Sequence, residues 1–348
     1  MLHCIYTDVT CNMTNENMKH IIIYIFCLFS LTCQTKKTKQ INPKNDKIDL
    51  LFEKKFEHSL ISRGNNFPDF RYSKDSMDLF LISLHENITT TDFQKKTNFS
   101  TAKIKKIEKL LESKNWLHYV NEKPKPTVFI ATQRDGEKLF ESSIPIANEI
   151  IAKIQDELPE IKQKFNQTEI SKTHGFEKWS FLILSNVLMD SWQIDNVERE
   201  FLKKDKRPER HGKNYYYSIM ENKEKNRETF GIYGNQYYEK NGKEISIYGN
   251  NRMGKPIMSY ENIISKSDNE IFNVISENFK PKLIEILNSN SEYINRIYKE
   301  TGYKEEIAFD EFFIWWYHFI YTKATDIMNE KGILKIPESG NFEYEINK

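Results

Sequence analysis

Apolar residues recur at helical spacing through much of the chain. Met77, Phe80, Leu81 and Leu84 predict a helix over about 76–85. Thr91 is a candidate N-cap for a short second helix at 92–97, and Ser100 for a third. In the third, Ile104, Ile107, Leu110 and Leu111 share one face, while Lys103, Lys105, Lys106 and Lys109 fall mostly on the others. Asn115 suits a left-handed C-cap. Residues 116–120 pattern as a strand, 122–126 as a hairpin tip and 127–132 as the return strand. Gln133 opens a further helix. Upstream, Leu50, Leu51, Phe52, Phe56, Leu60 and Ile61 predict one helix that stops at Arg63-Gly64.

Downstream, Ser143 and Pro145 restart a helix with the stripe Ile146, Ile150, Ile151 and Ile154, and Pro159 interrupts it. Residues 175–192 predict a buried core helix. Tyr215-Tyr216-Tyr217-Ser218-Ile219, then 229–238 and 244–248, predict a small antiparallel sheet of about three strands at roughly 214–250. Asn241-Gly242 is its strongest hairpin signal, and Ile232-Tyr233-Gly234-Asn235 recurs as Ile247-Tyr248-Gly249-Asn250. Tyrosines on that sheet either stack on a ligand or pack on neighbouring helices. Residues 261–331 read as helices, with Pro281 as a break, Gly302 as a stop and Asp310 as a cap for the last. The last helix carries an apolar run at 312–321, shorter than the ~20 residues of a membrane span. His318 within it reads as a core histidine with its hydrogen bonds met.

The first helices and hairpin resemble the winged helix-turn-helix domain of MarR-type bacterial regulators. The resemblance rests on Phe93-x-x-x-Thr97-x-Phe99-Ser100, Ile104-x-x-Ile107-x-x-Leu110, Asn115-Trp116 and Ile130-Ala131-Thr132-x-x-Asp135-Gly136-x-x-Leu139. It covers about a fifth of the chain, residues 73–140. It implies a recognition helix at 100–114 that enters a major groove and a wing at 116–132; the helix that follows is either a homodimer contact, as such regulators often use, or an internal packing helix. Thr101, Lys103, Lys105, Lys106, Lys109, Lys123 and Lys125 are then the candidate contacts to nucleic acid or to a protein partner. Residues 100–114 hold five Lys and two Glu, which suits phosphate contacts but also an ordinary solvated face. No Arg lies between Met77 and Gln133, although Arg makes the commonest bidentate contact to guanine.

The N-terminus changes where such a module would sit. Met18-Lys19-His20 precedes a 13-residue apolar run, Ile21 to Cys33, which fits a signal peptide better than a span. Met18 is a candidate start. Phe29-Ser30-Leu31-Thr32-Cys33 resembles a bacterial lipobox, which implies that Cys33 is lipidated and holds the chain to membrane lipid. All four cysteines fall at or before Cys33, so the body has no thiol nucleophile, disulfide or cysteine metal site. Lys36, Lys37, Lys39 and Lys44 leave open an uncleaved anchor with the body in the cytoplasm.

The expected fold is α+β and mostly helical: a winged helix-turn-helix, then a small antiparallel sheet and a C-terminal helical region. The expected divisions are a signal at 1–33, a tether at 34–46, a winged-helix domain with its preceding helix at 47–140, and a helical domain at 141–348. The net charge of +1 over 348 residues lacks the basic excess of a dedicated nucleic-acid protein. The loop 203–213, with Arg207, Arg210 and His211, reads as solvated, with an anion grip as the alternative. No Gly-x-Ser-x-Gly, His-Glu-x-x-His, Walker or Rossmann pattern occurs, and no catalytic residue, cofactor or metal is expected. Three functions stay open: a lipid-anchored, non-enzymatic binding protein; a cytoplasmic DNA-binding regulator; and an envelope enzyme with a tyrosine-lined substrate wall.

Overall fold

The computed structural model describes residues 43–222, 231–240, 243–250 and 261–347. The signal, the Cys33 lipidation site and the Asn241-Gly242 turn lie outside the described residues. The fold is α+β with small sheets. No helix among the described residues is long and apolar enough to cross a membrane.

Helix α1 (Pro43–Glu53) begins inside the stretch read as a tether and is followed by strand β1 (Phe56–Ser62). The single helix expected across 50–61 is therefore a correction. Phe56, Leu60 and Ile61 fit helical spacing, but β1 pairs antiparallel along its whole length with strand β5 (Tyr215–Glu221). Helices α2 (Met77–His85), α3 (Thr90–Thr97) and α4 (Thr101–Ser113) follow. Thr89, not Thr91, caps α3, accepting from the Asp92 amide at 3.1 Å. Ser100 caps α4, accepting from the Lys103 amide at 3.2 Å, and Asn115 has φ 53°. Strands β2 (Leu117–Val120) and β3 (Lys123–Pro126) form a hairpin whose turn is Asn121-Glu122, both at positive φ. Of the expected tip at 122–126, only Glu122 lies in the turn, and 123–126 is a strand. Strand β4 (Phe129–Ala131) leaves the hairpin and pairs parallel with β5.

Helix α5 (Gln133–Phe165) runs unbroken through Pro145 and Pro159, where a restart and an interruption were expected. An interior proline costs about 3 kcal/mol. Burying one Ile stabilises by roughly 1.5–3 kcal/mol, and α5 buries Ile146, Ile150, Ile151, Ile154 and Ile161. That stripe is buried in the chain's own core, not left for a second copy. Short helix α6 (Phe176–Phe181) continues into a π-helical turn, Leu182–Val187, and short helix α7 (Ile194–Asn196) into another, Val197–Phe201.

Strand β5 is the middle of a three-stranded sheet, order β1-β5-β4, and all seven of its residues are buried. Alternate side chains go to opposite faces of a strand, and each face here has its own core. Tyr215, Tyr217, Ile219, Val128 and Ile130 join α1 to α4 on one side. Tyr216, Met220, Phe129 and Ala131 join α5 and the later helices on the other. The sheet expected at 214–250 is corrected accordingly: its first strand belongs here.

The second sheet has order β6-β7-β9-β8. Strands β6 (Gly234–Lys240) and β7 (Lys243–Gly249) form the expected hairpin, with the repeated Gly234 and Gly249 paired at its open end. Strand β8 (Ile263–Ile264) and the C-terminal β9 (Asn341–Ile346) complete it. Gly249 is needed there, because a Cβ would collide with Asn341 and the Gly340 carbonyl. Helix α8 (Lys266–Ser289) passes through Pro281 without the expected break, and α9 (Ser291–Glu300) follows. Helix α10 (Phe309–Glu330) is buried continuously from Asp310 to Thr322. Ala308 holds its N-cap position, and Asp310 sits in the first turn instead of capping.

Candidate functional site

Helix α4 turns Ile104, Ile107 and Leu111 into the core, which forces Thr101, Lys105, Lys106 and Lys109 outward. Those four residues are exposed, and Lys123 is exposed on β3. The other two predicted contacts are engaged. Lys103 lies 2.8 Å from Asp75 and 3.8 Å above the Phe99 ring. Lys125 is turned inward, 3.5 Å from the Asn87 side-chain oxygen and 3.8 Å from Glu305. Lys114 likewise meets Asp69 at 2.7 Å. Residues 100–126 hold seven Lys against three Glu, and pairing leaves Lys105, Lys106, Lys109 and Lys123 with no carboxylate within 4.0 Å among the described residues.

Sequence reading missed the neighbours of these lysines. Tyr119 on β2 is 46 % exposed. Burial, and then the charges of Glu108 and Glu112, raise its pKa, which places the hairpin's outer aromatic beside an acidic pair on α4. The spacing of Glu108 and Glu112 already put them on one helical face. The outer surface thus carries cations, carboxylates and an exposed aromatic.

This unit is clamped by the segment before α10. The His118 ring meets the Glu305 carbonyl at 2.8 Å, and the Tyr303 hydroxyl donates to the Ile130 carbonyl at 2.6 Å. His85 stands between two carboxylates, 2.7 Å from Glu306 and 3.1 Å from Asp135. Burial opposes its charge, but Glu306 and Asp135 outweigh it and hold its pKa at about 10. Asp135 is in turn held well below the usual carboxylate range: burial opposes this, and His85 and Thr132 overcome it. His85, Glu86 and Asp135 each bring one potential metal ligand to within 4.8 Å of the others. Both His85 nitrogens are committed to carboxylates, and a protonated ring has no lone pair for a metal. The chemistry here is an ion-pair junction.

Arg207 and Arg210 correct the expectation of a solvated loop, because both are buried. Arg210 donates to both Glu311 oxygens, at 2.7 and 2.5 Å, and to the Asn115 and Thr127 carbonyls. Arg207 is paired with Glu198 at 2.7 Å. Of the tyrosines expected on the sheet, Tyr215, Tyr216, Tyr217, Tyr233 and Tyr248 are buried, whereas Tyr237 is 53 % exposed. His318 is a core histidine, its Nδ1 2.8 Å from the Ile314 carbonyl.

No protein-family model matches the chain, and no curated protein or solved structure matches it either.

Proposed function

We propose that this chain is a membrane-anchored lipoprotein that binds a macromolecular partner, without catalysing a reaction, through a winged-helix unit formed by α2–α4 and the β2–β3 hairpin. The observation that carries the reading is the outward face of α4. Thr101, Lys105, Lys106 and Lys109 are exposed there, beside Tyr119, Glu108 and Glu112. A mixed face of lysine, carboxylate and an exposed aromatic suits a protein partner with an acidic patch. Carboxylates next to the lysines oppose a phosphate backbone, and no arginine lies on α4 or the hairpin to read a base. The anchor is Cys33. Metabolic labelling with a fatty-acid analogue tests it: wild type should label and Cys33→Ser should not, and equal labelling of both removes the lipoprotein.

The second reading is a cytoplasmic regulator that binds DNA, favoured by the four unpartnered lysines. Four phosphate contacts would give a log–log salt slope of about −3.6. The proposed reading expects only weak duplex binding, without sequence preference. A sequence-selective complex that survives physiological salt and is abolished by Lys105→Glu with Lys106→Glu decides for DNA instead.

A further inference from the structure

A second place on the chain brings a cavity and unpartnered polar side chains together. Between the loop after β1 and the loop before β5 lies a cavity of about 150 Å³. A water molecule occupies about 30 Å³ in the liquid, so the space exceeds what one water fills. Its rim is Arg63, Lys204, Asp205 and Lys206, all exposed; its floor is Arg207 and Tyr216, which are 9 % and 0 % exposed.

The floor carries two buried groups with no hydrogen-bond partner. The Arg207 guanidinium gives Nε and Nη2 to Glu198, at 2.7 and 3.1 Å, while its Nη1 bonds nothing. The Tyr216 hydroxyl bonds nothing either. A buried donor left unmet is costly, and each such group calls for an explanation. Both residues line the cavity, and an acceptor seated in it would meet both donors. The Glu198 carboxylate does not serve, because both its oxygens are taken by Arg207 and one also by Arg63 at 3.2 Å. The carboxylates facing the cavity or its lining cations are Glu198, Asp195, Asp205 and Asp310. Asp195 is paired with Arg63 and Arg207, and Asp310 lies 3.8 Å from Lys204. Lys206 has no ion-pair partner among the described residues.

We infer that this cavity binds a small tetrahedral oxyanion of the phosphate class, held by Arg207 Nη1 and the Tyr216 hydroxyl at the floor and by Lys206 at the rim. Guanidinium and phenol N–H and O–H groups suit such an anion because they donate toward its acceptor-only oxygens. The site is separate from the α4 face and does not rest on it.

The test uses the full chain with inorganic phosphate as the probe. Thermal unfolding is followed against phosphate concentration, with chloride at equal ionic strength as the control. A ligand that binds only the folded chain raises the midpoint with concentration. Phosphate should raise it and chloride should not. Lys206→Ala and Tyr216→Phe should each weaken phosphate at least tenfold. Tyr216→Phe keeps the ring in the core, so the unliganded protein should stay folded. Equal shifts with phosphate and chloride, or an undiminished phosphate shift in Tyr216→Phe, overturn the site. A variant that is more stable in both salts with no phosphate dependence means water alone fills the cavity, and overturns it too. Glycerol 3-phosphate separates the sources: equal or tighter binding points to a phosphomonoester such as a lipid headgroup, and its exclusion to the free ion.

Discussion

Removing Arg210 should reveal how strongly the α2–α4 unit is tied to α10. Arg210 sits in the loop before β5 and makes four bonds: two to Glu311 in the first turn of α10, and one each to the Asn115 and Thr127 carbonyls that flank the hairpin. Breaking one partner of a buried ion pair costs about 3–5 kcal/mol, because the other charge is left uncompensated. Arg210→Met should therefore destabilise by that amount, read from urea midpoints. Glu311 adds a pH signature. Burial already pushes its carboxyl up to about 7 against the pull of Arg210. An acid raised in the folded state loses stability as pH climbs from its unfolded pKa, near 4.5, to its folded one. In the wild type that loss ends near 7. Without Arg210 the folded value rises further, so the loss continues above about 7, at up to about 1.4 kcal/mol per pH unit. The gap between variant and wild type should widen between about pH 6 and about pH 9. The double variant Arg210→Met with Glu311→Leu should recover about 2 kcal/mol or more, since a well-packed apolar pair often matches a buried ionic one. A cost under about 1 kcal/mol at both ends of that pH range would be too small for a broken buried pair and would refute the reasoning. So would a double variant no better than the single.

Three further outcomes follow from named contacts. His85 contributes stability that is fully present below its unfolded pKa of 6.5 and is lost as pH rises towards about 10; urea unfolding of His85→Gln should lack that downward slope. Gly249→Ala should cost about 1–3 kcal/mol in the same assay, because the added Cβ meets backbone as well as a side chain. Lys105→Glu with Lys106→Glu should change stability by under about 0.5 kcal/mol per site, since both are exposed; a larger loss would mean α4 relies on them for folding.

The sequence disclosed what repeats over short distances. Met77 to Leu84 and Ile104 to Leu111 each keep one periodicity for two turns, the run in α10 is apolar but for His318, and the helices lie there. The β1 segment reads as helix because Phe56, Leu60 and Ile61 fit helical spacing, while the partner that makes them a strand is Tyr215–Glu221. Nothing near β1 in the chain signals that pairing. Pro145 reads as a restart and Pro159 and Pro281 as breaks because the lost bond is local and visible, whereas the compensating burial against α10 and the other helices is not. Charge misleads in the same way. Arg207 and Arg210 stand in a run of lysines and read as solvated, but Glu311 is 101 residues from Arg210. The outward lysines of α4 were legible; that Asp75, Asp69 and Glu305 would neutralise their neighbours was not.

The long-range contacts also bear on how the α4 face works. Residues between Tyr303 and Glu311 hold the unit at His118 through the Glu305 carbonyl and at His85 through Glu306, and hold its flanks at Ile130 through the Tyr303 hydroxyl and at Arg210 through Glu311. Behind them the sheet β1-β5-β4 has a core on each face, so the unit shares its central strand with the rest of the body. A module hung on a flexible linker loses orientational freedom when it binds, and that loss subtracts from affinity. Helix α4 has already lost it on folding. Its lysines, Tyr119 and the Glu108–Glu112 pair sit on an element fixed by the body, so a partner of the proposed kind would have to meet that arrangement. Loosening the clamp with His85→Gln should therefore weaken partner binding even though His85 is remote from the exposed face. Exposed substitutions such as Lys109→Ala should act on binding alone. If His85→Gln lowers stability and leaves binding to the same partner unchanged, the α4 face is set by its own helices and the clamp serves only the fold.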